Sequence, residues 1–421
     1  MKQLARNVIV LTAITVPLFP LSVLAQTDLE EKVDALSKEV ESLKSDIKKL
    51  EQKNSALEQE QHRDVGKESG LSLSGYGEMN YSRPAHQPEH AHADLTRAVV
   101  GIGYRYDEQT RFFSEFEIEH AISSQGDSGE VAVEQFYLDH KLNPALAVKA
   151  GLFLIPAGIL NVEDEPTRIY GVQRNFVETL IIPSTWREGG ITLRGSYNSG
   201  FGWDAGVTTA MSIQKWEFTP AQPFAVTAND LVDNAPLQQT HQELSNANAQ
   251  HLAEFLRLRY RVTSQLSAGA SVFSGNMGKF DLNSPNNHLQ LSEFHTRWSP
   301  DKAEFSALYA RATISQTREL NQLHADATQF VPAEFWGGYL QAAYHLWKQD
   351  RRELVPYLRW ERFNEAKKIE GVSTDAQPTE RVWTYGFSFY LNPKIVIKTD
   401  YQTFKINSDF NRFNLGLSLA F

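Results

Sequence analysis

The sequence predicts an all-β transmembrane barrel of sixteen antiparallel strands preceded by an N-terminal α-helical coiled coil. Three observations point there: a last strand of strict alternation, an export signal with no later helix-length apolar run, and strand connections that sort by parity into short and long. The final ten residues read Arg412-Phe413-Asn414-Leu415-Gly416-Leu417-Ser418-Leu419-Ala420-Phe421. Phe413, Leu415, Leu417 and Leu419 share one face while small or polar residues share the other, so one face suits lipid and the other water. A half-buried strand of a soluble sheet has the same period. The rest of the chain decides between them.

At the other end Lys2 and Arg6 precede an apolar run over 8–24, and Val23-Leu24-Ala25 supplies the small residue of a cleavage site, which predicts a signal peptide over 1–25 and an exported protein. Pro17 and Pro20 interrupt a run already short for a bilayer, so a retained helix is the weaker reading. Spanning then falls to strands. Mean hydropathy is −0.40, yet 11% of residues are aromatic, as expected where half of each strand faces lipid and half a wet lumen. Cysteine is absent, which excludes disulfides and thiolate metal sites and leaves the closed hydrogen-bond ladder to hold the fold. The formal charge of −10 argues against nucleic acid as a partner.

Residues 26–61 predict a coiled-coil oligomerisation segment. Val33, Val40, Ile47 and Asn54 fall at successive a positions, with Leu29, Leu36, Leu43, Leu50 and Leu57 at d. The g to e pairs Glu39 with Lys44 and Lys53 with Glu58 attract, against one repulsive pair, Asp46 with Glu51, so a parallel homo-oligomer is favoured. β-Branched a residues over Leu lean toward two strands, and the helix argues for an oligomer without by itself counting the chains. A polar linker, 62–70, contains Gly66 and Gly70, and the barrel is expected over 71–421.

From Leu71 onward, segments of about ten residues with alternating character match the length that a tilted strand needs to cross a bilayer. They begin near Leu71, Leu95, Thr110, Val131, Ala145, Glu188, Phe201, His251, Leu266, His288, Lys302, Phe335, Glu353, Glu380, Lys394 and Arg412. The turns at 106–109, 143–144, 198–200, 263–265, 299–301, 348–350 and 392–393 are tight, and the joins between them are mostly longer. A soluble sandwich has no reason to sort its loops in this way; an outer-membrane barrel keeps turns in the periplasm and loops outside. An even strand count also brings both chain ends to the periplasm, where the coiled coil would sit. Lipid and lipopolysaccharide are the expected surroundings.

Gly151-Leu152-Phe153-Leu154-Ile155-Pro156-Ala157-Gly158, followed by Trp186-Arg187-Glu188-Gly189-Gly190-Ile191, resembles the phosphate-selective porin family (the O/P type) and its coiled-coil-bearing relatives. The resemblance implies a sixteen-stranded, usually trimeric diffusion channel whose third external loop folds inward to narrow the pore. That loop corresponds to 156–186. The family lines its pore with dense Arg and Lys; this chain mixes acid and base.

Strand parity nominates the lumen charges. Glu115, Glu117 and Glu119 share a face opposite Ser114, Phe116 and Ile118, and Arg257, Arg259 and Arg261 oppose Leu256, Leu258 and Tyr260. Charge on the lipid face at mid-depth costs about 2–4 kcal/mol for Arg or Lys and somewhat less for Glu, so both triplets are expected to point inward. Arg97, Arg105, Lys149, Arg297, Arg359 and Lys398 join them as pore-lining candidates, with Glu293, Glu361 and Asp400 interspersed. In the loop, Glu163, Asp164, Glu165, Arg168, Arg174 and Glu178 are expected at the constriction. Facing rows of opposite charge would set a transverse field; the bland alternative is that they pair and hydrate the wall.

His86, His90 and His92, with Glu89 and Asp94, could hold zinc or copper in the first loop, although their spacing matches no closed site and a solvated loop is the simpler reading. No cofactor is expected. No local Ser, His and acid arrangement or nucleophile elbow appears, which argues against an enzyme. The expected function is a water-filled channel for small hydrophilic solutes or ions. The alternatives are an envelope spacer anchored by the barrel and zinc capture at the cell surface.

Overall fold

The computed structural model describes residues 70–121, 129–218, 235–374 and 377–421. The signal peptide, coiled coil and most of the linker lie outside the described residues.

Alternation produces the strands where the sequence places them. They are β1 (Leu71–Pro84), β2 (His92–Arg105), β3 (Thr110–Glu119), β4 (Val131–Asn143), β5 (Leu146–Leu154), β6 (Arg187–Ser196), β7 (Phe201–Thr209), β8 (Leu252–Arg261), β9 (Leu266–Lys279), β10 (Asn286–Trp298), β11 (Ala303–Ile314), β12 (Pro332–Tyr344), β13 (Trp347–Gln349), β14 (Arg352–Ile369), β15 (Glu380–Asn392), β16 (Ile395–Phe404) and β17 (Arg412–Ala420). A short helix, α1 (Thr317–Leu323), lies in the connection after β11. β13 is a three-residue ribbon paired to the start of β14, so sixteen strands form the wall.

Each strand pairs antiparallel with its chain neighbour, and β17 returns to β1 with Tyr76 opposite Ala420 and Pro84 opposite Arg412. Closure leaves no edge, which satisfies the backbone donors and acceptors that lipid cannot. Phe421 completes the seam by donating its N–H to the Gly75 carbonyl at 2.9 Å. Glycine at 75 leaves room for this closure, because a Cβ there would overlap the Phe421 ring and lie 2.8 Å from the Val99 carbonyl oxygen.

The connections obey the expected parity: the turns after β2, β4, β6, β8, β10 and β15 are tight and the joins after β3, β5, β7 and β11 are long. Aromatic pairs flank the tight-turn end, Tyr104 with Tyr106 at 5.0 Å, Tyr197 with Phe201 at 6.1 Å and Trp298 with Phe305 at 5.4 Å. Such a ring of aromatics is where a barrel meets the headgroup layer. Outside, Phe116, Ile118, Phe413 and Leu415 are all about two-fifths exposed, the pattern of a surface made for lipid.

Two of the register shifts in the wall bear on the lumen. Between Glu115 and Phe116 the register of β3 against β4 shifts and leaves Glu134 unpaired; the same happens at Thr96 in β2 opposite Glu78 and Met79. An extra residue lets two successive side chains point to the same face. Glu134 and Gln135, and likewise Thr96 and Arg97, therefore both face inward.

Candidate functional site: the barrel lumen

The connection 155–186 folds into the barrel and packs on its inner wall. Its apolar residues supply the reason: Ile155, Ile159, Phe176, Val177, Leu180, Ile181, Ile182 and Trp186 are buried in one cluster with wall residues Phe273, Phe335 and Phe363. Phe176 stacks on Phe363 at 5.6 Å, and Trp186 meets Phe273 edge-on at 4.5 Å. The loop neck is closed by Asn161, whose amide donates to the Ile155 and Trp186 carbonyls and whose carbonyl accepts from the Trp186 N–H at 2.8 Å.

Polar contacts fix the loop around the wall. Asp164 accepts from the Tyr76 hydroxyl at 2.8 Å, and the Asp164 backbone carbonyl accepts from Arg97 at 2.6 Å. Neighbouring Glu163 pairs with Arg297. Arg97 is on β2 and Arg297 on β10, eight strands apart in a wall of sixteen, so two adjacent loop residues reach opposite walls. Beyond them the chain follows β14 to β17. Lys398 donates to the Pro166 carbonyl at 2.6 Å, the Val172 N–H donates to Asp400 at 2.7 Å, Arg412 donates to Gln173 at 2.7 Å and the Phe176 N–H donates to Glu361 at 2.6 Å.

This placement revises several sequence expectations. Arg359 and Lys398 face inward but are only 1% exposed, covered by the loop, so they are anchors rather than wetted wall. Glu178 is not a free constriction charge. It accepts the N–H groups of Ile159 and Leu160, the Asn175 amide and the Tyr339 hydroxyl, a buried clamp inside the loop. Arg168 and Glu165 pair with each other at 3.5 Å. Arg174 reaches the Thr185 hydroxyl at 3.4 Å. Arg105 and Arg261 end their strands exposed at the tight-turn rim. His86 and His90 are exposed, the His92 ring lies 3.3 Å from the His90 carbonyl, and among the described residues no three His, Asp or Glu side chains gather as metal ligands. The zinc or copper expectation has no formed site in this arrangement.

On β1 to β4 an acidic wall forms around one guanidinium. Arg97 bonds Glu78 at 2.8 Å and lies 3.8 Å from both Glu117 and Asp164. Glu115 accepts from the Gln135 amide, and Glu134 faces the Tyr76 hydroxyl at 3.5 Å. Glu119 lies half-buried at the long-loop end of the same row. Sequence reading missed Glu134. The signal was present as a slip in apolar phase, from Val131 and Val133 to Phe136 and Leu138.

On β5 to β10, together with the tight-turn ends of β3 and β4, the balance reverses. Arg257, Arg259 and Arg261 alternate along β8, with Asp204 3.1 Å from Arg259. Arg194 and Arg111 share Asp139, at 2.9 and 2.6 Å, and the Lys149 ammonium sits 4.3 Å over the Tyr137 ring. His295 meets Glu293 at 2.8 Å. A cavity of about 700 Å³ opens among Arg257, Arg259, Arg261, Arg297, His295 and Glu163.

The connection 210–251 also turns inward, which the sequence did not announce. Its described parts bury Met211, Ile213, Trp216 and Leu237 in the same cluster as the loop 155–186. His241 stacks on Trp186 at 6.3 Å, and Glu243 pairs with Arg187 at 2.9 Å. Burial holds the His241 imidazole below its ordinary pKa although Glu243 opposes that shift.

No family model matches the chain. A protein of Aquifex aeolicus (strain VF5), described as uncharacterized, is 29% identical over 365 residues, covering 84% of this chain and 80% of its own. Among solved structures, Salmonella typhi OmpF in complex with daunomycin superposes with a TM-score of 0.55 at 11% identity, covering 84% of this chain and 98% of that one. DcaP, an outer membrane channel of Acinetobacter baumannii, gives 0.53 at 10%, covering 83% and 97%. The anion-selective porin of Comamonas acidovorans gives 0.51 at 11%, covering 84% and 100%. At these identities the likeness is one of fold. The described chain has the sixteen-stranded barrel of outer-membrane porins.

Proposed function

We propose that the chain is an outer-membrane porin, a water-filled channel for passive diffusion of small hydrophilic solutes or ions, narrowed by the loop 155–186. The observation that carries this reading is the pair of contacts from Glu163 and Asp164 to opposite walls. A chain held in this way crosses the bore and divides it. The apolar cluster of the loop packs on wall residues from β5 to β16, and the passage proposed runs through the open cavity among Arg257, Arg259, Arg297, His295 and Glu163. The arginines of β8 line that passage, while the acids of β3 and β4 lie buried behind Arg97 and Asp164 and act on it through their field. Charges so placed in a confined aqueous space, between low-dielectric walls, orient dipolar solutes and bias ion permeation.

Phosphate selectivity is not part of this proposal. Asp139, Asp204 and Glu163 neutralise much of the basic flank, and the opposite flank is acidic. A homo-oligomer, a trimer by the porin likeness, is part of it. Purified protein reconstituted in planar bilayers is expected to give stable single-channel steps. Folded, heat-modifiable protein that inserts without conductance would overturn the channel and leave the spacer reading in its place.

A further inference from the structure

A separate cavity of about 200 Å³ lies between the loop 155–186 and the long-loop ends of β17, β1, β2 and β3. Its charges are sorted by origin. Cations come from the loop and β17, as Arg174 and Arg412, and acids from β2 and β3, as Asp94 and Glu119. Between them β1 contributes neutral Ser82 and Asn80, in register with Asn414 and Asp94 respectively. The backbones of β17 and β2 are thereby held about 10 Å apart. The one charge that β1 adds, Glu78, is taken by Arg97 at 2.8 Å.

These four groups stay open where other lumen charges close. Arg97, Arg259 and Arg297 each have a carboxylate partner. Arg174 donates only to the Thr185 hydroxyl, at 3.4 Å, and its Nη2 is buried with no hydrogen-bond partner among the described residues. Arg412 is fixed by two neutral groups, Gln402 and Gln173, each at 2.7 Å. Among the described residues Arg174, Arg412 and Glu119 have no opposite charge within 4.0 Å, and Asp94 meets only the His120 ring, at 2.8 Å. A buried donor left without an acceptor is costly, so an acceptor brought into the cavity is stabilised there.

We infer that this cavity is an entry subsite for small zwitterions, solutes that carry an ammonium and a carboxylate at once. The carboxylate accepts from Arg174 and Arg412, and the ammonium donates to Glu119 and Asp94. A simple ion satisfies one side and meets its own sign on the other. A zwitterion satisfies both and brings no net charge into the confined space. Access is from the long-loop rim, where the His120 and Asp94 side chains are 40% and 23% exposed.

As an entry subsite it rests on the channel reading, but binding is measured without current. Full-length protein folded in detergent is titrated with glycylglycine by saturation-transfer NMR, with N-acetylglycine as the anion-only control and glycinamide as the cation-only control. Glycylglycine is expected to bind about ten-fold more tightly than either control, since one charge-assisted hydrogen bond is worth on the order of a factor of ten. Arg174→Gln and Glu119→Gln are each expected to bring its affinity down to that of the controls, and the wild-type comparison stands even where a variant does not fold. No binding, equal affinity for the three solutes, or unchanged affinity in both folded variants would overturn the subsite and leave the channel standing. Selective glycylglycine binding by protein that inserts in planar bilayers without conductance would overturn the channel and, with it, the entry role.

Discussion

Arg97 concentrates the electrostatics of the lumen in one side chain. It is 4% exposed and within 4 Å of Glu78, Glu117 and Asp164. Removing one partner of a buried ion pair costs about 3–5 kcal/mol because the other charge is left uncompensated. Arg97→Gln is therefore expected to free the loop at Asp164, visible as new protease cleavage within 155–186 and a lower unfolding temperature. Unchanged cleavage would mean that Tyr76 alone holds Asp164. His345, in the turn after β12, tests pH linkage. Burial pushes its imidazole down, but hydrogen bonds and charges from Glu304 and Glu353 more than offset this, so its pKa is raised. A raised folded-state value means that the contribution is fully present below the unfolded value of about 6.5 and is lost as pH rises through the folded one. His345→Gln should thus be less stable than wild type near pH 5, with the gap closing near pH 9. A gap independent of pH would assign the effect to packing.

At the scale of elements, the proposed function has the inward loop and the two charged rows act together. Arg257, Arg259 and Arg261 and the acids of β3 are the two charged rows proposed to bias permeation. Replacing all three arginines with Gln should shift reversal potentials in a salt gradient toward cation selectivity, and replacing Glu115, Glu117 and Glu119 with Gln should shift them toward anions. Both shifts should shrink at 1 M salt, where the screening length falls to about 3 Å. The glutamate variant is expected to show the smaller change, because Glu115 and Glu117 are already buried among partners. Two folded triple variants with wild-type reversal potentials would remove these rows from the ion path.

At the scale of the whole molecule, closure and self-association are separate questions. The sixteen-strand ladder closes within one chain through β1 and β17, so the barrel needs no partner to satisfy its backbone. Deleting 28–61 is accordingly expected to leave a folded, heat-modifiable barrel whose oligomer dissociates at lower temperature. An oligomer of unchanged heat stability would assign assembly to the barrel walls alone.

Sequence by itself determined the wall. Every predicted strand lies within three residues of its observed start, from Leu71 to Arg412, because a period of two imposed by lipid on one face and water on the other is a local property. The same locality put Glu115, Glu117 and the β8 arginines on the inner face. Only the tertiary structure decided which inward charges meet water. Lys398 and Arg359 obey parity as well as Arg257 does, yet the loop covers them, and Glu178 closes on its own loop's N–H groups instead of facing the bore. The first two outcomes bring together residues more than a hundred positions apart across a closed barrel, and the third needs the loop to fold back on itself; no local period encodes either.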